Sequence, residues 1–221
     1  MKNSKPRAII FDLDGVIVHT DRYHYQAWKQ LADRLKIHFD EQINNRLRGV
    51  SRMESLDIVL ENSAYAALPS AEKEALAAEK NEAYKALLQA MTSADVSAEV
   101  KETLHKLKEM NYRMAIGSSS RNAGLILEKI GLAGFFDAVA DGNHITHSKP
   151  HPEVFLKAAA YLGLTPAECV VVEDADAGIE AAHRAGMQAI AIGDAVLHGN
   201  GDWDVGCFRE ILVVLSVKND S

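Results

Sequence analysis

The chain has 221 residues, 48% hydrophobic and 25% charged, enough for one large core or for a core carrying an inserted smaller domain. A formal charge of −7 argues against non-specific binding to nucleic acid, and no hydrophobic stretch approaches the length of a membrane span. Cys169 and Cys207 lack metal or redox spacing and read as free thiols, so a reducing, cytoplasmic location is expected.

Ala8 to Phe11 is a continuous apolar run, the pattern of a strand buried in a parallel sheet. Asp12 and Asp14 follow it. Residues two apart share a face of an extended chain, so both carboxylates address one point. Gly15 then allows backbone angles that a side chain forbids. Two like charges this close require a cation, a proton or a basic side chain. The motif alone is only suggestive, since it arises by chance in roughly 5% of chains this long.

Val16 to Thr20 reads as a connector leaving the sheet. Tyr23, Ala27, Leu31 and Leu35 recur every four residues and predict a helix from about Arg22 to Lys36. Asp40 is placed to cap a short helix running toward Leu47, and a basic loop, Arg48 to Arg52, follows. Ser51 and Glu54 have capping-box spacing and open a helix from Met53 to about Asn62. Pro69-Ser70 opens a longer one, Ala71 to Met91.

Beyond about Asp95 strand and helix patterns alternate. Strands are expected at Tyr112–Gly117, Phe136–Ala140, Cys169–Val172 and Ala189–Ile192. Helices are expected around Leu104–Met110, at Asn122–Ile130, Val154–Leu162 and Ala177–Ala185, and in the tail from Phe208 to Leu215. Such alternation predicts a parallel sheet with helices on both faces. The expected architecture is an α/β core, residues 1–15 and 96–221, with an all-helical insertion at 16–95.

The later strand ends are polar. Gly117 runs into Ser118-Ser119-Ser120-Arg121-Asn122, which suits an anion but by itself reads more readily as a plain helix cap. Lys149 stands between two prolines, Pro150 and Pro152, and Ser148, in a loop that aims an ammonium or merely exposes one. Val170 to Val172 ends in Glu173-Asp174, two adjacent acids at a strand terminus.

The ordered set Asp12/Asp14, Ser118, Lys149 and Glu173/Asp174 resembles the four motifs of the haloacid dehalogenase superfamily of phosphoryl-transfer enzymes. That resemblance implies a Rossmann-like parallel-sheet core with a helical cap. The closer likeness is to the β-phosphoglucomutase family, carried by Phe11 to Ile17, by Tyr23-His24 with Ala27-Trp28-Lys29, and by Leu47 to Ser55. Lys80-Asn81 and Ser118 to Asn122 also match, and the likeness fades after about Gly193. The chain departs from the family at Val18-His19-Thr20, where Thr-Asp-Thr is usual, and at Arg48 and Arg121, where lysine is usual.

The resemblance implies Asp12 as nucleophile, Asp14 as general acid/base, and Ser118, Ser119 and Lys149 as phosphate ligands. It implies Mg²⁺ held by Asp12, Glu173, Asp174 and the main-chain carbonyl of Asp14. For the substrate it implies Arg52 on a distal phosphate, with His24, Trp28, Gly49, Val50, Ser51, Ser55 and Lys80 from the cap and Ser120, Arg121 and Asn122 from the core. Trp28 would otherwise read as core, and His24 and Lys80 as surface residues. The implied activity is a phosphomutase converting β-D-glucose 1-phosphate to glucose 6-phosphate through an aspartyl phosphate and a 1,6-bisphosphate. A sugar-phosphate phosphatase and, remotely, a non-catalytic sugar-phosphate-binding protein stay open. Either way the expected partner is a small sugar phosphate, not nucleic acid or membrane, and the chain is expected to act as a monomer.

Overall fold

The computed structural model describes residues 6–47 and 50–217. The chain divides into two compact units, Met1–His19 with Thr92–Ser221, and Thr20–Met91.

The second unit is helical. It contains α1 (Asp21–Leu35), α2 (Glu41–Asn45), α3 (Arg52–Leu60) and α4 (Ser70–Leu88). Helical spacing puts Tyr23, Ala27, Trp28, Leu31 and Leu35 on the buried face of α1. There Trp28, Leu31 and Leu35 share a core with Phe39, Leu56, Leu60 and Ala77. The short helices start where their caps dictate. Asp40 accepts from the Ile43 N–H, and Ser51 and Glu54 form the expected reciprocal box. Helix α4 stops short of Met91 because the turns at Gln89 and Ala90 close back on Ala86 and Leu87.

The other unit is α/β. Its strands are β1 (Ala8–Phe11), β2 (Arg113–Gly117), β3 (Ala138–Ala140), β4 (Cys169–Glu173), β5 (Gln188–Ile192) and β6 (Trp203–Val205). They form one parallel sheet in the order β3-β2-β1-β4-β5-β6. The helices are α5 (Ala98–Glu109), α6 (Ala123–Lys129), α7 (Glu153–Tyr161), α8 (Asp176–Arg184) and α9 (Glu210–Val217). Side-chain alternation sorts β1 between two faces. Ile10 joins Val154, Phe155, Ala158, Ile179 and Ala182 of α7 and α8, while Phe11 stacks on Phe208 at 5.7 Å.

Three expectations need correction. Val16 to Val18 do not leave the sheet as a connector. They are buried, and the Ile17 and Val18 N–H groups both donate to Leu13 O while Gly15 donates to Val18 O. Strand β3 begins at Ala138 instead of Phe136, because the Asp137 carboxylate, not a carbonyl, takes the Met114 N–H at 2.8 Å. After β5 the chain makes a 3₁₀ segment, Gly193–His198, and the edge strand β6, neither of which the sequence pattern predicts.

Candidate active site

The register of the central strands brings the motifs together. Phe11 pairs with Ile116 on one side and Val172 on the other, so Asp12 lies level with Gly117 and Glu173 at the carboxyl edge of the sheet. β1 is also where the strand order reverses, the position at which open α/β sheets bind ligands.

Lys149 joins two of these strand ends. Its Nζ donates to Asp12 Oδ1 and to Glu173 Oε1, both at 2.5 Å. All three side chains are buried, and the ammonium also sits 4.7 Å from the centre of the Phe155 ring. Burial pushes the Asp12 carboxyl above the usual carboxylate range, against the pull of Lys149 and with further push from Glu173 and Asp14. For Lys149 burial acts downward, yet the Asp12 and Glu173 carboxylates outweigh it and hold the ammonium above its ordinary value. The lysine is therefore fixed as a cation.

Two glycines leave room for the acids. A Cβ at Gly178 would lie 1.9 Å from Glu173 Oε1, and one at Gly15, whose φ is +90°, would lie 2.0 Å from Asp174 Oδ2. Glu173 Oε2 accepts from the Ala175 N–H at 2.9 Å, which fixes the second oxygen. Asp174 thus presses on the turn that carries Asp14. The carboxylates of Asp12, Glu173 and Asp174 are hard oxygen donors at the ends of β1 and β4, the kind that could hold Mg²⁺.

The loop after β2 is held by hydroxyls. Ser118 Oγ accepts from Ser120 N–H at 3.1 Å, and Ser120 Oγ from Asn122 N–H at 3.2 Å. Gly142 N–H donates to Ser120 O, and Asn143 Nδ2 donates to Arg121 O. Ser118 and Asn122 are buried and Arg121 is exposed. Ser119 Oγ is buried with no hydrogen-bond partner among the described residues, a donor available to an anion.

In the helical unit Lys80 is buried, contrary to the ordinary expectation for a lysine. Its Nζ lies 4.6 Å from the Trp28 ring centre and 4.8 Å from that of Tyr84, and it donates to His24 Nδ1 at 2.9 Å. His24 stacks on Tyr84 at 4.0 Å. Loss of solvent, then Lys80 and Arg52, hold the His24 imidazole well below its usual pKa, so it is neutral near pH 7. Trp28 is therefore core and ammonium partner at once. Ser51 serves as a helix cap, Ser55 is buried, Arg52 is half-buried and Val50 is exposed. Gly49 and Arg48 lie outside the described residues.

Sequence reasoning missed Tyr84, Phe155 and Gly178. Only Gly178 left a trace, a glycine in the first turn of a helix where alanine is favoured.

A family model described as haloacid dehalogenase-like hydrolase matches residues 6–186. The β-phosphoglucomutase of Bacillus subtilis is 42% identical over 188 residues, 85% of this chain and 83% of that one. Fructose-1-phosphate phosphatase YqaB of Escherichia coli is 35% identical over 83% of this chain and 95% of its own length. The crystal structure of β-phosphoglucomutase from Clostridium difficile superposes with a TM-score of 0.89 at 36% identity, covering 97% of this chain and 98% of that one. With the acids, the hydroxyl loop and the lysine at the carboxyl edge of one parallel sheet, the chain belongs to the haloacid dehalogenase-like hydrolase family.

Proposed function

We propose that the chain is a Mg²⁺-dependent phosphomutase that converts β-D-glucose 1-phosphate to glucose 6-phosphate. The observation that carries this reading is the 42% identity to a β-phosphoglucomutase over 188 residues. That alignment is longer than the α/β unit, so it must enter the helical unit as well.

In the proposed reaction an Asp12 carboxylate oxygen attacks the phosphorus of the sugar bisphosphate. The bond from phosphorus to the sugar oxygen breaks, and Asp14 gives that oxygen a proton. In the return step a sugar hydroxyl gives its proton to Asp14 and takes the phosphoryl group from Asp12. Lys149 balances the charge gathered on the phosphoryl oxygens, and Ser118 and Ser119 donate to them. Asp12, Glu173, Asp174 and the Asp14 carbonyl would hold Mg²⁺, which when bound neutralises phosphoryl charge. Arg52, His24, Trp28, Val50, Ser51, Ser55 and Lys80 of the helical unit, with Ser120, Arg121 and Asn122, are assigned to the sugar and its second phosphate. Arginine suits that phosphate because its fork binds two oxygens at once.

A second reading, a sugar-phosphate phosphatase in which water takes the phosphoryl group, is favoured by the 35% identity to a fructose-1-phosphate phosphatase. Product analysis separates the two. Incubation of β-glucose 1-phosphate with Mg²⁺ and a trace of the 1,6-bisphosphate should yield glucose 6-phosphate. Inorganic phosphate as the main product would reject the mutase. Asp12→Asn should abolish either activity.

A further inference from the structure

Away from the all-oxygen cluster, the segment between β3 and α7 gathers His147, His151 and Glu153. One ligand atom from each lies within 4.8 Å of the other two. Local bonds build this arrangement. Glu153, in the first turn of α7, accepts from the Thr146 and His147 N–H groups at 3.0 Å each, which folds the segment back onto the helix. His147 Nδ1 lies 3.5 Å from the same carboxylate oxygen. That is close to the roughly 3.3 Å ligand–ligand edge of a tetrahedral zinc site. The His147 and His151 rings are 4.6 Å apart, and both are exposed, so a hydrated ion reaches them and water can complete the coordination.

His151 Nδ1 also accepts from the Glu153 N–H at 3.3 Å. Coordination through Nε2 moves the ring proton to Nδ1 and breaks this bond, and its length keeps the cost small. Two imidazoles and one carboxylate are a zinc-class donor set, suited to Zn²⁺, Co²⁺ or Ni²⁺ and poor for Mg²⁺.

We propose that His147, His151 and Glu153 form a site for a divalent transition metal, distinct from the acids at the sheet edge. The two histidines flank Lys149 in sequence, so an ion held there ties together both ends of the segment that carries the lysine.

Co²⁺ is the probe, titrated into the full chain in excess Mg²⁺. One equivalent should give the visible absorption of a low-coordinate nitrogen–oxygen centre. His147→Ala and His151→Ala should each weaken its affinity by at least about tenfold. Asp174→Asn should leave it unchanged. As a second readout, Zn²⁺ should shift the imidazole NMR signals of His147 and His151 in the unaltered protein. No uptake, equal uptake by the double histidine variant, or loss of uptake only in Asp174→Asn would each overturn the proposal.

Discussion

Gly178→Ala sets helix propensity against packing. Gly178 lies in the first turn of α8, where alanine is ordinarily better by about 1 kcal/mol. A Cβ there would fall 1.9 Å from Glu173 Oε1 and 2.0 Å from its Cδ. Oε1 holds Lys149 and Oε2 holds the Ala175 N–H, so the carboxylate cannot step aside without releasing one of them. Breaking a buried charge pair costs about 3–5 kcal/mol, which leaves a net loss of about 2–4 kcal/mol after the helix gain. At about 2–4 °C per kcal/mol for a chain of this size, the Tm should fall by roughly 4–16 °C. Gly124→Ala is the matched control. Gly124 is also helical, but nothing lies within 4 Å of its Cβ position, so the same change should stabilise by about 0.4–1 kcal/mol. Thermal unfolding followed by circular dichroism measures both. A Gly178→Ala protein that melts with or above its parent, beside a normal Gly124→Ala, would refute the claim that this glycine makes room for Glu173.

Lys149→Met leaves Asp12 and Glu173 buried without their shared cation, and should cost about 3–5 kcal/mol near pH 7. Losing the cation raises the Asp12 carboxyl beyond its value of about 7, so the deficit should grow as pH rises above 7; equal urea midpoint shifts at about pH 7 and about pH 9 would contradict this. The Glu168 carboxyl is held down at about 2 by the Thr165 N–H, Arg7 and the Thr165 hydroxyl. Its folded value is below the ordinary 4.5, so its contribution is complete above pH 4.5 and lost as pH falls toward 2. Glu168→Gln should flatten the acid limb of the stability curve in that window, and a limb merely displaced in parallel would count against it. An NMR titration should find the His24 midpoint well below the ordinary imidazole value, whereas a midpoint near the unperturbed value of about 6.5 would show that burial, Lys80 and Arg52 do not restrain it.

How much of this was legible in the sequence depends on how local each cause is. The apolar run before Asp12 and the acids after Val172 announce strand ends, because a buried parallel strand needs an uninterrupted apolar stretch. The Ser51–Glu54 box is legible for the same reason, since its bonds span three residues. Lys149 is different. Its partners stand 137 and 24 residues away, and only the level register of β1 and β4 brings them together. Nor does the sequence announce that Lys80 is buried, because the aromatic faces that accept its ammonium come from two helices. Strand β6 escapes notice because it has three residues and exposes Asp204.

The two acids that share Lys149 are not equivalent, and the difference bears on which one suits the role of the proposed nucleophile. Glu173 is held at both oxygens, by Lys149 and by the Ala175 N–H, over a glycine that fixes its position. Asp12 is held by Lys149 at Oδ1, and no hydrogen bond among the described residues engages its Oδ2. A nucleophile needs a lone pair not already committed to a donor, and it gains basicity from burial, which raises the Asp12 carboxyl. Glu173, tied at both ends, is better suited to orient the lysine than to leave it. The same pairing keeps the lysine charged, so the ammonium stays available to an incoming phosphoryl group without a proton having to move. This asymmetry supports Asp12 as the proposed nucleophile and Glu173 as the anchor for the ammonium beside it.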